Sequence, residues 1–424
     1  MLDRRTFLAA ALGAAGGAAT GCSSLPGGLG LGDTVRVAVP WSGAELRAFR
    51  TVLDRLEGVS YELIPLGDDI GTALQTRAGR RPDVVLLPQP GLVARHRDDL
   101  EPLPADVPVP NHPLWSDLLG DGNGSLYGLP FKVAHKSAIW YRKSVVREKP
   151  ASWSDWLALN KDLVGSPVAP LALAGADGWC LTDFFENVLL GCDPAAYDSL
   201  ARSESPRLST ESAVGEALDL LGRMWAVEGV LAGGVRGSLV RQYSDAVVEV
   251  FAYRRAAMAV VPDFAEPVID TFAKYPDDVG VFPFPKVDLG RCGQAAVPPL
   301  IVGGDFAVLL RPAHEPARDL VRRLAGADAA LPWIEEPGGF ISANLDTDDS
   351  VYSSWLQELV PDLRAPETKI RFDLSDRLGR LGGATGLWRV LQDFLANVGG
   401  RGEAAVPGAV DKAIRQLADL EEER

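Results

Sequence analysis

The feature that most constrains the fold of this chain is a regular alternation of strand-like and helix-like segments over residues 35–87. Residues 35–39 and 61–66 have strand-type composition, and 83–87 ends in an unbroken apolar run. Between them, residues 44–56 and 70–78 show the apolar spacing of helices. A β-α-β-α-β order predicts a parallel sheet with helices on both faces. We therefore expect an α/β protein.

Ligands of such sheets bind at the carboxyl ends of the strands. Trp41 follows the first predicted strand, Asp68 and Asp69 follow the second, and Gln89 follows the third. We therefore expect Trp41, Asp69 and Gln89 to lie near a ligand. For Gln89 the alternative is an ordinary solvated loop residue.

Bulk properties narrow the class of protein. A chain of 424 residues exceeds what one hydrophobic core usually serves, so we expect two lobes. The net charge of -15 argues against nucleic acid as a partner. The four Cys and four His residues lack zinc-type spacing, and motifs of hydrolases and phosphate-binding loops are missing from the sequence. We expect neither a metal, nor a cofactor, nor catalytic residues.

The first 32 residues have the composition of an export segment. Arg4-Arg5 precedes an apolar run over 7–19, which is shorter than the ~20 residues that cross a bilayer. The small residues before Cys22 resemble the lipobox of bacterial lipoproteins, which implies cleavage before Cys22 and a lipid on its sulfur. The twin arginines resemble a twin-arginine export signal. We expect a signal peptide over 1–21 and a flexible Gly-rich linker over 22–32; the alternative is an ordinary cleaved signal with an unrelated Cys22.

The remaining cysteines, Cys180, Cys192 and Cys292, are odd in number. Cys180 and Cys192 lie on one predicted helix about 18 Å apart, too far to form a disulfide with each other. A bridge from Cys292 to either one stays open.

The rest of the chain predicts further elements. A helix with a capping box begins at Ser152, and other helices are expected at 179–190, 212–227, 315–325, 351–359, 386–397 and 408–422. Strands are expected within 126–141, 251–261 and 303–310. The Gly- and Asn-rich segment 120–124 is typical of a hairpin turn rather than a calcium loop.

Several motifs, in order along the chain, resemble those of one protein family. Residues 126–131 (LYGLPF) and 138–143 (AIWYRK) are similar to the crossover between lobes in family 1 solute-binding proteins of ABC importers, the relatives of maltose-binding protein. Further similar segments lie at 150–156, 179–186, 256–264, 303–305, 338–341 and 387–388. The resemblance extends over residues 33–424.

This resemblance implies the periplasmic-binding-protein fold, in which two α/β lobes are joined by hinge crossovers with a ligand cleft between them. We expect lobe I over 33–131 plus 300–345 and lobe II over 132–299 plus 346–424. It also implies a monomeric protein on the extracytoplasmic face of the cell membrane, held there by the lipid anchor. The protein would capture a sugar or oligosaccharide and deliver it to an ABC permease, without catalysis.

The resemblance also implies ligand-binding residues. Aromatic side chains supply flat apolar area for sugar rings, and polar side chains bond the hydroxyls. The aromatic candidates are Trp41, Trp179, Phe264 and Trp388, and the polar candidates are Asp69, Gln89, Lys132, His135, Asp263 and Asp305. Three of them have structural alternatives: Lys132 could pair with an acid across the hinge, His135 could face solvent, and Asp263 could cap a helix.

Three other functions stay open at this stage. The ligand could be a polyamine or a glycerol phosphate ester, for which an acidic or a basic pocket respectively would be expected. The chain could be an exported glycoside hydrolase, which needs two carboxylates roughly 5–10 Å apart. It could also be a surface protein that uses the same fold outside transport. Because the candidates are mostly aromatic and neutral, sugar is favoured.

Overall fold

The computed structural model of the protein describes residues 34–76, 81–109, 113–289, 298–364 and 369–423. The predicted signal peptide, the linker, Cys22 and Cys292 lie outside these residues. Within the described ranges, none of the helices combines the length and the apolar character that crossing a membrane requires.

The described residues form twelve strands. They are β1 (Thr34–Val39), β2 (Ser60–Pro65), β3 (Val84–Leu87), β4 (Leu100–Glu101), β5 (Leu129–His135), β6 (Ala138–Arg142), β7 (Ala169–Leu171), β8 (Ala256–Val260), β9 (Val279–Pro283), β10 (Ile301–Leu310), β11 (Ile341–Ser342) and β12 (Arg371–Phe372).

The same residues form fifteen α-helices. They are α1 (Gly43–Arg55), α2 (Pro90–Arg95), α3 (Pro113–Leu119), α4 (Trp153–Leu163), α5 (Gly178–Cys192), α6 (Pro194–Arg202), α7 (Ser212–Trp225), α8 (Gly234–Val240), α9 (Tyr243–Phe251), α10 (Glu266–Phe272), α11 (Glu315–Leu324), α12 (Leu331–Glu335), α13 (Val360–Arg364), α14 (Leu387–Val398) and α15 (Val406–Glu422).

Two segments predicted as α-helices are 3-10 helices in the structure. The segment after β2 is a 3-10 helix, Gly67–Leu74, and the predicted helix over 351–359 is two short 3-10 turns, Asp349–Val351 and Leu356–Glu358. The capping box is confirmed, because Ser152 Oγ accepts from the Asp155 amide and Asp155 Oδ2 accepts from the Ser152 amide, each at 3.1 Å. This reciprocal pair starts α4 where the sequence predicts.

The first sheet has the strand order β11-β5-β10-β3-β1-β2, with β4 and β12 also paired to β10. Strand β1 is parallel to both β2 and β3, which confirms the predicted parallel core. Strand β10 lies antiparallel between β3 and β5 and makes the sheet mixed. The carboxyl ends of β1, β2 and β3 therefore share one edge.

The second sheet has the order β7-β8-β6-β9. The chain passes from the first sheet to the second between β5 and β6, and returns between β9 and β10. The lobe boundaries stay a prediction: β5 runs through the predicted boundary at 131/132, and β12, predicted in lobe II, pairs with β10.

The second sheet packs against a core rich in aromatic rings. Trp156 and Trp225 are fully buried, and Trp156 stacks on Phe184 with ring centroids 5.6 Å apart. Cys180 and Cys192 both lie on α5, as predicted. Cys180 is a buried free thiol, whereas Cys192 is in a disulfide.

Candidate functional site

The strand ends of the first sheet gather three of the predicted site residues. Asp305 on β10 lies opposite Lys132 on β5, and the next residue of β10, Phe306, pairs with Leu87 at the end of β3. Trp41 follows β1 at the same edge and lies close enough to Asp305 to lower the pKa of that carboxyl. The rule that ligand residues follow parallel strands therefore brings Trp41 and Asp305 together.

Trp41 is more deeply packed than its loop position suggests. Its ring is 4.8 Å from Phe49 and 5.0 Å from Trp333, between centroids, and only 5% of the residue is exposed. Trp41 is therefore part of the core of the first sheet as well as of its edge.

Lys132 is buried and has a complete set of partners. Its Nζ is 3.0 Å from Glu45 Oε1 on α1, and it lies 4.9 Å from the ring centroid of Trp333, 5.5 Å from Phe264 and 5.9 Å from Phe340. Cation–π contacts of this kind strengthen when the cation is desolvated. Lys132 therefore pairs with an acid, Glu45, which was not predicted. Because α1 and β5 belong to the first sheet and its flanking helices, this pair is not the predicted one across the hinge, and a ligand contact for Lys132 stays a prediction.

The charge of Lys132 is retained despite its burial. Burial alone would lower the pKa of the Lys132 ammonium, but Glu45, Asp305 and Asp263 together raise that pKa above its ordinary value. We call Lys132, these three acids and the surrounding rings the Lys132 cluster.

Aromatic residues from the second sheet's elements approach the Lys132 cluster. Trp179 in the first turn of α5, Tyr243 at the start of α9 and Phe264 after β8 are in mutual contact, with centroids 5.6 to 5.8 Å apart. Phe264 joins them to Lys132. The structure therefore brings together the predicted Trp179 and Phe264 and adds Tyr243, whose only sequence signal was an aromatic residue at a helix start.

Trp388 lies beside the start of α5. It is partly buried in the first turn of α14, and a Cβ added at Gly178 would come within 2.4 Å of the Trp388 Cβ. The absence of a side chain at Gly178 thus lets the indole pack on the helix that carries Trp179. The Trp388 Nε1 is buried without a hydrogen-bond partner among the described residues.

His135 and Asp263 join the end of β5 to the segment after β8. The His135 amide donates to Asp263 Oδ1 at 2.7 Å, and both residues are fully buried. Burial raises the pKa of Asp263 to about 7 and lowers the pKa of His135 to about 4.

Both structural alternatives for these two residues were wrong. His135 does not face solvent, and its two ring nitrogens have no hydrogen-bond partner in the described part of the chain. Asp263 does not cap α10, whose N-cap is Ala265 without a side-chain bond. The second carboxylate oxygen of Asp263, Oδ2, is buried and unpaired among the described residues.

Asp69 and Gln89 stand apart from these contacts. Both residues are exposed, Asp69 in the 3-10 helix after β2 and Gln89 at the N-cap of α2. The contacts that join the other candidates do not include them. Their position at strand ends was correctly predicted, and a ligand contact for either stays a prediction.

A second charged group escaped the sequence analysis. Lys136, in the link between β5 and β6, contacts the Asp373 carboxylate and lies 3.3 Å from Asp183 Oδ1 and 3.9 Å from Asp376 Oδ2. Asp183 and Asp373 are buried, whereas the Asp376 side chain is 24% exposed. We call Lys136 and these three aspartates the Lys136 cluster.

The three aspartates share one lysine unequally. Burial alone would raise the pKa of Asp373, but Lys136 and hydrogen bonds hold it below its ordinary value. Burial raises the pKa of Asp183 well above its ordinary value against the effect of Lys136. Burial and the charge of Asp373 raise the pKa of Asp376 to about 7. Lys136 therefore neutralises mainly Asp373.

Asp305 connects the two clusters. Burial raises its pKa to about 6, while Lys132 and Lys136 both lower it, and Asp305 in turn contributes to the raised pKa of Asp376. Lys136 also lies against β10, because a Cβ added at Gly303 would be 2.7 Å from Lys136 Cε. The two clusters therefore belong to one site.

The site offers carboxyl groups and aromatic rings. Over the part of the chain that the structure describes, no three or more His, Cys, Asp or Glu residues are grouped in a way that could hold a metal ion. What the side chains present is aromatic surface beside buried carboxylates, a combination suited to binding a small polar solute.

Comparison with known proteins shows which proteins this chain resembles. The family model described as bacterial extracellular solute-binding protein matches residues 59–330. Among individual proteins, the chain is 26% identical over 368 residues to the osmoprotective compounds-binding protein GgtB of Synechocystis sp., covering 81% of this chain and 84% of that protein. It is also 26% identical over 416 residues to the alpha-glucosides-binding periplasmic protein AglE of Rhizobium meliloti, covering 90% and 87% respectively.

Solved structures agree on the fold. The bacterial solute receptor AcbH, described with a preference for β-D-galactopyranose, superposes with a TM-score of 0.70 at 16% identity, over 92% of this chain and 97% of that one. The maltose-bound MalE3 of T. maritima gives a TM-score of 0.65 at 16% identity, over 92% and 99%. At these identities the likeness shows the fold alone, which is the predicted periplasmic-binding-protein fold.

The family model extends over more than half of the chain and includes β5, β6, α5, β8 and β10, the elements that carry most of the site. The chain therefore belongs to the family of bacterial extracellular solute-binding proteins.

Proposed function

We propose that this protein captures a sugar or oligosaccharide between its two sheets and delivers it to the permease of an ABC importer, without transforming it. The observation that carries the proposal is the contact of Trp179, Tyr243 and Phe264 beside the buried Asp263 and Lys132. Ring faces bind the apolar faces of sugars, and carboxylates accept from sugar hydroxyls.

The relatives support this substrate class. AglE is named for binding alpha-glucosides, and the solved structures of the same fold include receptors bound to maltose and to raffinose. GgtB is named for osmoprotective compounds, which widens the range of small solutes to be tested.

The charges in the site separate the two non-sugar alternatives. A glycerol phosphate ester needs cations free to pair with phosphate, but Lys132 is occupied by Glu45 and Lys136 by Asp373. A polyamine is the second candidate, because the carboxylates of the two clusters outnumber the two lysines. The aromatic surface favours the sugar over a flexible polyamine.

A thermal-shift screen of the purified protein tests the proposal. The panel contains mono- and oligosaccharides, polyamines and glycerol phosphates. A ligand at 100 times its Kd should add about 2.7 kcal/mol to the free energy of unfolding. A stabilising sugar supports the proposal, and stabilisation by a polyamine alone moves the protein to the second candidate. In a separate assay, release of reducing sugar from an oligosaccharide would indicate a glycoside hydrolase instead.

Substitutions at the rings test the location of the ligand. Trp179→Ala and Trp388→Ala should weaken sugar binding at least tenfold while the unliganded protein still unfolds cooperatively. Trp41→Ala is a poorer probe, since removing a ring that packs on Phe49 and Trp333 should itself cost about 3–5 kcal/mol of stability. Unaltered affinity in both Trp179→Ala and Trp388→Ala would contradict this location.

We further propose that a lipid on Cys22 holds the protein on the outer face of the cell membrane. Two or more acyl chains anchor a protein stably, whereas one does not. The Cys22→Ser variant should appear in the soluble extracytoplasmic fraction, and its unchanged retention by the membrane would refute the anchor.

A further inference from the structure

Glu45 is the carboxyl group of the Lys132 cluster that a solute can reach most easily. Its side chain is 46% exposed, whereas Asp263 is fully buried and Asp305 is 8% exposed. Glu45 lies in the first turn of α1, which follows β1 at the strand-end edge of the first sheet. Of the acids around Lys132, it is therefore the one placed to bond a solute that enters the site.

Lys132 holds one oxygen of Glu45 and leaves the other open. Lys132 Nζ donates to Glu45 Oε1 at 3.0 Å, and Glu45 Oε2 receives no hydrogen bond from the described residues. The same Nζ lies 5.5 Å from the ring centroid of Phe264, so the pair is beside the aromatic surface of the site. Glu45 thus offers a solute an oriented acceptor whose charge is balanced by its own lysine partner.

Tyr243 brings a donor to the same place from the elements of the second sheet. Its ring is 5.8 Å from that of Phe264 between centroids, and its backbone amide, at the start of α9, donates to Asp177 Oδ2 at 2.6 Å. Burial raises the pKa of the Tyr243 hydroxyl, Glu45 raises it further and Lys132 lowers it, so the hydroxyl keeps its proton and lies close to both charges. Among the described residues this hydroxyl has no hydrogen-bond partner.

An open carboxylate oxygen and an open phenolic O–H together match a hydroxyl group. A sugar hydroxyl brings one donor and two acceptor lone pairs, so it can donate to Glu45 and accept from Tyr243 at the same time. A protonated amine brings donors alone, and it gains less from a carboxylate that Lys132 already balances. The ring of Phe264 supplies apolar surface for the sugar beside this hydroxyl.

We propose that Glu45 selects for one sugar hydroxyl, with Lys132 holding its carboxylate in place and the Tyr243 hydroxyl bonding the same group from the other side. This inference rests on the proposed function and assigns to it a specificity-determining residue outside the predicted ligand contacts. Lys132 is then a positioning residue, because it acts on the sugar through Glu45. Such a site rejects an analogue that lacks the hydroxyl, because its own polar groups would be left unpaired.

Deoxygenated probes locate the hydroxyl. Calorimetric titration uses maltose, sucrose, trehalose, raffinose and spermidine, followed by the monodeoxy forms of each sugar that binds the wild type. Loss of the hydroxyl that Glu45 bonds should weaken binding to the wild type about tenfold or more. In Glu45→Ala, which has no acceptor, the same deoxygenation should weaken binding less than about threefold. Tyr243→Phe, which keeps the ring, should also reduce the effect of that deoxygenation.

Two further variants separate the hydrogen bond from the charge. Glu45→Gln keeps an acceptor oxygen but no longer balances Lys132, so it should retain the preference for the intact hydroxyl that Glu45→Ala loses. Glu57→Ala, at an exposed position after α1, should bind every probe as the wild type does. Circular dichroism and thermal unfolding of each variant verify its folding.

The outcomes distinguish this inference from the function on which it rests. If every deoxygenation weakens binding equally in the wild type and in Glu45→Ala, Glu45 only balances the charge of Lys132, and the inference fails while sugar binding stands. The inference also fails if Glu45→Gln loses the preference as Glu45→Ala does, because the charge alone is then responsible. If spermidine binds and none of the sugars does, or if no probe binds, the proposed function fails and the inference fails with it.

Discussion

Lys132 and Lys136 lie on or just after the same strand, yet their surroundings differ in kind. Lys132 is enclosed by three aromatic rings and paired with Glu45, whose side chain is 46% exposed. Lys136 is enclosed by carboxylates, two of them at most 2% exposed. A buried cation can thus be stabilised by neutral ring faces or by acids. The rings carry no charge that the cation must balance, whereas buried carboxylates depend on the cation for charge compensation.

This difference indicates which of the two lysines contributes more to the stability of the fold. If the ammonium at 132 is lost, the rings remain a packed apolar surface and Glu45 can turn to water. The buried Asp263 and Asp305, whose pKa values burial already raises to about 7 and about 6, can take up protons. If the ammonium at 136 is lost, buried carboxylates remain without a cation, which is costly in a medium of low dielectric constant. The fold should therefore depend on Lys136 more strongly than on Lys132.

The largest expected effect is that of Lys136→Met. Removing one partner of a buried ion pair costs about 3–5 kcal/mol, because the other charge stays buried and unpaired. Urea unfolding at neutral pH should show this loss relative to the wild type. A loss below about 1 kcal/mol would contradict the dependence of Asp373 on Lys136.

Lys132→Met should be milder and so sharpens the contrast. Methionine can pack on the rings of Trp333 and Phe340, and what is lost is a desolvated cation–π contact and a half-exposed ion pair, together about 1–2 kcal/mol. The same urea experiment measures it. A loss as large as that of Lys136→Met would contradict the conclusion that the fold depends more strongly on Lys136 than on Lys132.

The pH dependence of Asp263→Asn tests the acids of the Lys132 cluster. The pKa of Asp263 is about 7 in the folded protein, above its unfolded value, so the folded state binds a proton more tightly. Lowering the pH from 8 to 6 should therefore stabilise the wild type by about 1 kcal/mol through this group. The buried His135, whose pKa is about 4, opposes this below pH 6.5 in wild type and variant alike.

The difference between wild type and Asp263→Asn isolates the carboxyl group. Asparagine can still accept from the His135 amide, so the two proteins should unfold at similar temperatures near pH 5.5 and diverge towards pH 8 in favour of the variant. Parallel curves across that range, in the unliganded proteins, would mean that Asp263 stays ionised throughout.

The smallest expected loss of stability is that of Lys149→Met, which serves as a surface control for the other lysine substitutions. Lys149 pairs with Glu358 at the surface, where both side chains are more than a third exposed. Exposed pairs contribute between nothing and about 1 kcal/mol, so Lys149→Met should lie within that range in the same urea series. A larger loss would show that the series responds to lysine removal in general rather than to burial of the pair.

Much of the fold was predictable because its determinants are local. The alternation of strand-like and helix-like segments predicted β1 to β3 with their parallel pairing. The Ser152–Asp155 capping box predicted the start of α4. The insertion of β10 between β3 and β5 was not predictable in this way. Its place depends on where the chain returns from the second sheet, which no local pattern encodes.

The site was predictable where it follows strand ends or family motifs, and not where it depends on packing between distant segments. Glu45 looked like an ordinary acidic residue in a first helical turn. Asp183 and Asp373 meet only because α5 packs near the segment after β12. One signal was present: four polar residues, Thr182, Asp183, Glu186 and Asn187, interrupt an otherwise apolar helix, and all four are buried.

The packing of Trp388 on Gly178 also has an evolutionary consequence. Because a Cβ at position 178 would come within 2.4 Å of the Trp388 Cβ, the two positions cannot change independently. A relative that carries a side chain at the first position should carry glycine or a displaced residue at the second, because the contact is with a Cβ atom. Changes of solute preference along this lineage would then require two coordinated substitutions, one on each helix, and intermediate sequences with only one of them should be selected against.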